Sequence, residues 1–238
     1  LFYLVLIICL IIGLPLLLRG RQGVFTMARL WTRITLWLFR TICGVTHEVR
    51  GLENLPSGGV IVAAKHQSFW ETFALSLYLD DFTFILKREL MWLPLFGWYL
   101  KASQMIAIDR SSGSSALKQV LRRSKPVLNS GRQLIIFPEG TRRKPGAPPQ
   151  YKYGVAHIYG VNTVPCVPVA LNSGLFWPRR SFMRRPGNLV VEFLDPIPPG
   201  MPQQEFYALL QERLEAASDA LIAEAVAKDP RLAGALDT

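Results

Sequence analysis

Short apolar runs alternate with amphipathic stretches over most of the chain after residue 45. Six runs of apolar and β-branched residues predict strands at 60–64, 82–86, 105–108, 133–137, 164–171 and 189–194. Helical periodicity predicts helices at 70–79, 114–129, 153–160 and 203–226. Several of the strands are apolar on both faces, as strands of a buried sheet are. The pattern therefore predicts an α/β domain with a mostly buried mixed sheet flanked by helices.

The first eighteen residues form an apolar segment without any charge. Its length is just enough to cross or deeply enter a bilayer, and Gly13 and Pro15 would bend it, so a tilted or re-entrant anchor is an alternative. A cleavable signal peptide has a similar apolar core, but arginines follow this segment instead of a small-residue cleavage site. Because no acidic residue precedes Glu48, these arginines predict that the following chain lies on the cytoplasmic side.

The periodicity of residues 24–43 predicts a helix with a basic stripe beside an apolar, Trp-rich side. Arg29, Arg33 and Arg40 form the stripe, which suits a helix lying among lipid headgroups. The alternative is a helix packed on the domain. The predicted organisation is therefore a membrane-associating helical segment at 1–45 and a second domain at 46–238.

The composition indicates an anionic partner. The 238 residues carry a net charge of +10, half of them are hydrophobic, and the isoelectric point is near 9.9. Nucleic acid, a phospholipid surface and a phosphorylated substrate all fit such a charge. The uncharged first segment favours lipid and argues against nucleic acid. Three isolated cysteines, Cys9, Cys43 and Cys166, predict buried thiols and neither a disulfide framework nor a metal site.

A second sign of anion binding is a stretch of one-sided charge between residues 140 and 191. It contains eight basic residues and no acidic one. They are Arg142, Arg143, Lys144, Lys152, Arg179, Arg180, Arg184 and Arg185. On a chain with an apolar anchor, such a stretch indicates attraction to anionic lipid, with an ordinary solvated basic face as the alternative.

The stretch AAKHQSFWE places His66 where an apolar strand ends, with Glu71 at the start of the next helix. In open α/β sheets, ligands bind beyond the carboxyl ends of the strands. A neutral imidazole there can take a proton from a hydroxyl if its other nitrogen is held by an acceptor, and Glu71 is the candidate acceptor. The same stretch also fits the capping-box pattern, in which the Glu71 side chain accepts a hydrogen bond from the Ser68 amide. The two interpretations do not exclude each other.

Two further strand ends carry groups suited to a phosphorylated alcohol. In the stretch IIFPEGTRR, one strand is followed by Glu139, Gly140, Thr141 and Arg142. In the stretch IAIDRSS, another strand is followed by Arg110. An arginine can bind a phosphate with two parallel hydrogen bonds, and glycine permits an unusual backbone turn. Together with the His66–Glu71 pair, these groups predict a single site at one edge of the sheet.

The order H-x4-E, I-D-R, F-P-E-G-T-R and a V-P-V strand resembles the glycerolipid acyltransferase family, specifically its 1-acylglycerol-3-phosphate acyltransferases. The resemblance covers roughly residues 46–200, and the apolar N-terminus is typical of bacterial members. Its implied location is the cytoplasmic face of the cell inner membrane. Two residues depart from the family's commoner pattern, Glu71 in place of Asp and Lys65 in place of Asn. The second departure leaves the exact lysolipid acceptor open.

The resemblance also implies a role for each candidate residue. His66 would deprotonate the acceptor hydroxyl, with Glu71 orienting it, and Lys87 would stabilise the oxyanion of acyl transfer. Residues of the other two motifs would hold the acceptor phosphate (Arg110 and Arg142) or shape its pocket (Glu139, Gly140 and Thr141). Val167 and Pro168 would help to form the acyl pocket.

The implied reaction transfers an acyl chain from acyl-CoA or acyl-carrier protein to 1-acylglycerol-3-phosphate, which is lysophosphatidic acid, and yields phosphatidic acid. It would need no metal and no cofactor beyond the thioester co-substrate. No acyl-enzyme is expected, because the chain lacks a G-x-S-x-G elbow. Alternatives are acylation of another lysolipid such as lyso-ornithine lipid or a lysophospholipid, a phospholipase, and a non-catalytic basic membrane-binding protein.

Overall fold

The computed structural model describes residues 1–109 and 113–237, except for the side chain of Asp237. The described residues contain a seven-stranded mixed sheet with the order β1-β7-β6-β2-β5-β3-β4. The strands are β1 (Val45–Arg50), β2 (Val60–Ala64), β3 (Phe82–Lys87), β4 (Ile106–Ile108), β5 (Gln133–Ile136), β6 (Cys166–Leu171) and β7 (Gly187–Phe193). Neighbouring strands are parallel except for β6 and β7, which are antiparallel.

Helices connect the strands and cover both faces of the sheet. They are α1 (Phe2–Ile12), α2 (Gly20–Cys43), α3 (Glu71–Ala74), α4 (Phe96–Ala102), α5 (Ser114–Asn129), α6 (Gly154–Gly160), α7 (Ser173–Phe176), α8 (Gln203–Lys228) and α9 (Gly234–Asp237). Short 3-10 turns lie at Leu14–Arg19, Leu52–Asn54, Leu75–Leu77, Arg88–Trp92 and Pro230–Ala233. The predicted fold class and all six predicted strands are confirmed, with ends that differ by up to two residues.

Several elements differ from the sequence prediction. Strand β1 was not predicted, because it pairs only with β7 at the sheet edge, four of its six residues are polar and three are exposed. Helices α4, α7 and α9 were also not predicted. The helix predicted at 70–79 is divided into α3 and the 3-10 turn Leu75–Leu77. The domain boundary at residue 45 stays a prediction.

The core explains why β2 consists only of apolar residues. All five of its residues are fully buried, and their side chains alternate between two hydrophobic clusters. Val60, Val62 and Ala64 join the cluster that contains α1 and α2, whereas Ile61 and Ala63 join the cluster that contains the N-terminal half of α8. Helices thus pack on both sides of this strand, and its carboxyl end is held at a fixed place.

Helix α2 packs on the domain along one face. Thr32, Leu36 and Phe39 are buried there. Arg29 was predicted to face lipid headgroups, and this prediction is wrong. Its guanidinium donates hydrogen bonds to the carbonyl oxygens of Leu79 and Asp80, at 2.8 and 2.9 Å, and so satisfies backbone groups that follow the 3-10 turn.

The opposite face of α2 is open to solvent and agrees better with the prediction. Arg33 and Arg40 are exposed there together with Leu30 and Trp37, and Trp37 retains 61% of its accessible surface. Among the described residues, no single helix has the length and apolar character needed to cross a membrane. Helix α1 and the segment 14–43 meet these criteria only as a pair, bent by 63°.

Candidate active site

The two main sequence motifs meet at the carboxyl edge of the sheet. His66 follows β2, and the F-P-E-G-T-R motif follows the neighbouring parallel strand β5. The Arg143 amide donates to the His66 carbonyl oxygen at 2.7 Å, and the His66 amide donates to Glu139 Oε2 at 2.9 Å. The backbone of His66 is therefore fixed from both sides by the second motif.

His66 and Glu71 form a dyad in which the carboxylate is buried and the imidazole is partly exposed. His66 Nδ1 lies 2.9 Å from Glu71 Oε1, and no part of the Glu71 side chain is exposed. The same oxygen accepts hydrogen bonds from the Gln67 and Ser68 amides, at 2.8 and 2.7 Å, and Glu71 Oε2 accepts one from Ser173 Oγ at 2.8 Å. Glu71 thus makes the predicted bond to the Ser68 amide while it also contacts the imidazole, so both sequence interpretations hold.

The environment of His66 determines which of its nitrogens can act as a base. A carboxylate only accepts hydrogen bonds, so Nδ1 carries the proton in the neutral ring and Nε2 is the basic nitrogen. The ring stacks on Phe137, with centroids 4.2 Å apart and planes at 17°, and 15% of the side chain remains exposed. This contact and the dyad bond together restrict rotation of the imidazole.

An apolar cavity of about 440 Å³ opens at His66. Its walls come from α1, α2, β3 and α4, and they include Leu10, Met27, Phe84 and Phe96. Lys87, at the end of β3, is exposed and lines the same cavity as His66. The structure therefore pairs Glu71 with His66 and places Lys87 in the wall of the cavity that opens at His66.

A second, basic cavity of about 650 Å³ is lined by the arginine that ends the F-P-E-G-T-R motif and by the residues that follow it. Its lining includes six cationic side chains, Arg142, Arg143, Lys144, Arg179, Arg180 and Arg185. Burial lowers the pKa of the Arg179 guanidinium, and repulsion by Arg180, Arg142 and Arg143 lowers it further. An anion in this cavity would relieve that repulsion.

The remaining candidates of the second motif do not line the basic cavity. Gly140 and Thr141 are exposed in the turn after β5, and Gly140 has a φ of +67°, which explains the glycine. Glu139 is buried and binds Lys65 and the His66 amide, and its part in shaping a phosphate pocket stays a prediction. Arg110 lies outside the described residues, and its role stays a prediction.

The residues expected to form the acyl pocket also lie elsewhere. Val167 and Pro168 belong to β6, where they pair with Val62 and Ala63 in the fully buried centre of the sheet. They do not line the apolar cavity. Their apolar character is explained by burial between two helical layers.

Sequence comparison identifies the family. A model of the family described as Acyltransferase matches residues 46–172, more than half of the chain. The chain belongs to the acyltransferase family.

Two curated relatives are both called 1-acyl-sn-glycerol-3-phosphate acyltransferase. The protein from Pseudomonas aeruginosa is 40% identical over 161 residues, which cover 68% of this chain and 63% of the relative. The protein from Cocos nucifera is 31% identical over 181 residues, 75% of this chain and 57% of the relative.

This chain spans less than two thirds of the length of these relatives. A solved structure confirms its fold over nearly the whole chain. The crystal structure of the 1-acyl-sn-glycerophosphate (LPA) acyltransferase PlsC from Thermotoga maritima aligns with a TM-score of 0.74 and 23% identity, and it covers 92% of this chain and 94% of that one.

Sequence reasoning missed the site partners that are distant along the chain. Ser173 binds Glu71 from 102 residues away, and Gln67 Oε1 accepts from the Gly174 amide at 3.0 Å. Glu215 binds Lys65 from 150 residues away. No local spacing marks such contacts. The only sequence signal is a polar residue directly after a buried strand, as Asn172 and Ser173 are after β6.

Proposed function

We propose that this protein transfers an acyl chain from a thioester to the free hydroxyl of 1-acylglycerol-3-phosphate and so produces phosphatidic acid. The observation that carries the proposal is the position of the His66–Glu71 dyad, where the apolar cavity meets the segment that lines the basic cavity. An acyl chain and a phosphate need these two environments. The names of the two curated relatives support the same activity.

The geometry supports direct transfer by general-base catalysis. Nε2 of His66 takes the proton of the acceptor hydroxyl, and the alkoxide oxygen attacks the thioester carbonyl. Glu71 stabilises the imidazolium through its bond to Nδ1. The C–S bond then breaks, and the proton held by His66 passes to the departing thiolate. Lys87 lines the same cavity, and its proposed role is to stabilise the oxyanion.

Arg142 is the proposed contact to the acceptor phosphate. It is half-buried in the wall of the basic cavity, and its carbonyl oxygen accepts from Arg179 Nη1 at 2.9 Å. Its backbone is therefore held while its guanidinium belongs to the cavity wall. The proposed co-substrate is acyl-CoA or acyl-carrier protein, with no other cofactor.

A panel of acceptors tests this function. We expect the purified protein to acylate lysophosphatidic acid in preference to monoacylglycerol, because only the first offers a phosphate to the basic cavity. Arg142→Ala should raise the acceptor KM about 10-fold or more and leave the donor KM nearly unchanged, since a charge-assisted hydrogen bond is lost. Labelled acyl-CoA and acyl-carrier protein serve as alternative donors in the rate measurement.

The matched control is Arg122→Ala, which removes an exposed arginine on α5 outside both cavities. A rise in donor KM alone would assign Arg142 to the thioester. Release of free fatty acid without an acceptor would identify a phospholipase, and preference for a phosphate-free lysolipid would contradict the proposed acceptor.

We also propose that the protein lies at the cytoplasmic face of the cell inner membrane. Helix α1 exposes large apolar side chains, Tyr3, Leu4, Ile7, Ile8, Ile11 and Ile12. Phe182 is fully exposed and Met183 largely so, with Arg180 and Arg184 nearby in the sequence. Apolar side chains flanked by arginines favour an anionic lipid surface.

Substitutions that leave the core intact can test this location. Ile8→Ser/Ile12→Ser should weaken binding to vesicles of phosphatidylcholine and phosphatidylglycerol about 10-fold or more, because two exposed side chains lose their burial in lipid. Sedimentation with the vesicles gives the bound fraction. Leu52→Ser, an exposed leucine beside Glu53, is the control. Unchanged binding by the double variant would exclude α1 from the contact.

A further inference from the structure

A buried cluster of charges lies behind the His66–Glu71 dyad. Lys65 Nζ donates to Glu139 Oε1 at 2.9 Å and to Glu215 Oε1 at 2.8 Å. Only 5% of the Lys65 side chain and 1% of the Glu139 side chain are exposed, against 22% for Glu215. The Tyr151 hydroxyl donates to the same Glu215 oxygen at 2.6 Å. One ammonium group thus joins two carboxylates next to the active site.

The charged groups of this cluster stabilise one another in the buried site. Burying an ammonium group and carboxylates costs several kcal/mol for each ion, and each is stable there only while its partners remain. Burial and the neighbouring Glu215 carboxylate raise the pKa of the Tyr151 phenol, which keeps its proton available to Glu215. Loss of Lys65 would leave Glu139 with an unpaired charge in a buried site.

A continuous chain of contacts leads from this cluster to His66. Glu215, on α8, binds Lys65, and Lys65 binds one oxygen of Glu139. The other oxygen of Glu139 accepts from the His66 amide at 2.9 Å. The Lys65 amide is itself fixed to the carbonyl oxygen of Val169 on β6 at 3.0 Å. The orientation of the Glu139 carboxylate therefore depends on Lys65 and on α8.

We propose that Lys65 and Glu215 are positioning residues for His66. They fix the Glu139 carboxylate so that it holds the His66 backbone in the geometry required for the dyad bond. Lys65 therefore acts through Glu139 and not by contact with the acceptor. The kinetic part of the proposal rests on the proposed acyltransferase function, whereas the structural part does not.

Kinetics and a spectroscopic signal test the proposal together. Lys65→Met should lower kcat about 10-fold to 100-fold with little change in the acceptor KM, because a small misplacement of the base slows the reaction without weakening binding. Glu215→Gln, which retains an acceptor for Lys65 and Tyr151, should have a smaller effect in the same direction. In both variants the NMR resonance of the His66 Nδ1 proton, assigned by its absence in His66→Ala, should shift.

A double variant distinguishes positioning from direct contact. In Lys65→Met/Glu139→Gln the amide oxygen still accepts from His66, the unpaired Glu139 charge is removed, and Glu215 keeps its bond to Tyr151, so we expect most of the lost kcat to return. The matched control is Glu224→Gln, on the same helix, whose carboxylate pairs with Arg50 on the surface. It should leave both kcat and the proton resonance unchanged.

Three results would overturn the proposal. One is a raised acceptor KM at unchanged kcat in Lys65→Met, which would place Lys65 against the substrate. The second is an unchanged His66 resonance in both single variants, a result that holds even if the assigned reaction is wrong. The third is no recovery in the double variant. If Lys65→Met does not fold, the kcat of Glu215→Gln and its His66 Nδ1 proton resonance still test the proposal.

Discussion

His66→Ala should reduce acyl transfer by about 10²-fold to 10⁴-fold, because the reaction loses its general base. The side chain is partly exposed at the cavity wall, and its loss leaves the backbone bonds to Arg143 and Glu139 in place. We therefore expect the variant to stay folded and to bind vesicles as the unchanged protein does. Initial rates at saturating donor and acceptor give the effect, and thermal unfolding checks the fold.

The matched control is His157→Ala, which replaces a half-buried histidine on α6 whose ring contacts Tyr153. It lines neither cavity and should retain turnover. Wild-type rates in a folded His66→Ala protein would remove the central claim of the mechanism.

Glu71→Gln should lower activity by orders of magnitude while stability changes little. Glutamine has the same length, and its oxygen can still accept from the Gln67 and Ser68 amides. Its amide group can donate to Ser173 Oγ if that hydroxyl rotates. The hydrogen bonds thus survive, at a cost of about 1 kcal/mol or less. The charge that stabilises the imidazolium does not survive, although the retained oxygen can still accept from Nδ1 of His66.

Rates measured beside melting temperatures separate the two roles of Glu71. Ser173→Ala is the comparison, because it removes a bond to the other carboxylate oxygen and leaves the charge in place. It should be much milder in activity. Full activity in Glu71→Gln would mean that this residue only caps the turn, and the dyad mechanism would have to be abandoned.

The parts of the fold and site that follow local rules could be predicted from sequence. Strand β2 reads as a strand because both of its faces are buried, and the His66–Glu71 pair is visible because the two residues are five positions apart. The sequence was less informative where a polar group has a distant partner in the folded chain. Arg29 binds backbone carbonyl oxygens, and Glu139 binds a lysine and an amide. A sequence shows that such a group is charged, but not which group it contacts.

The catalytic dyad and the apolar wall of the cavity are formed by different parts of the chain. The hydrogen bonds that fix His66 come from the segments that directly follow β2, β5 and β6, whereas Leu10, Met27 and Phe96 in the apolar wall come from α1, α2 and α4. A substitution in that wall changes the length or width of the space for an acyl chain without touching any bond of the dyad. Preference for one chain length over another can therefore diverge among related proteins while turnover is preserved, so the two traits are free to evolve separately.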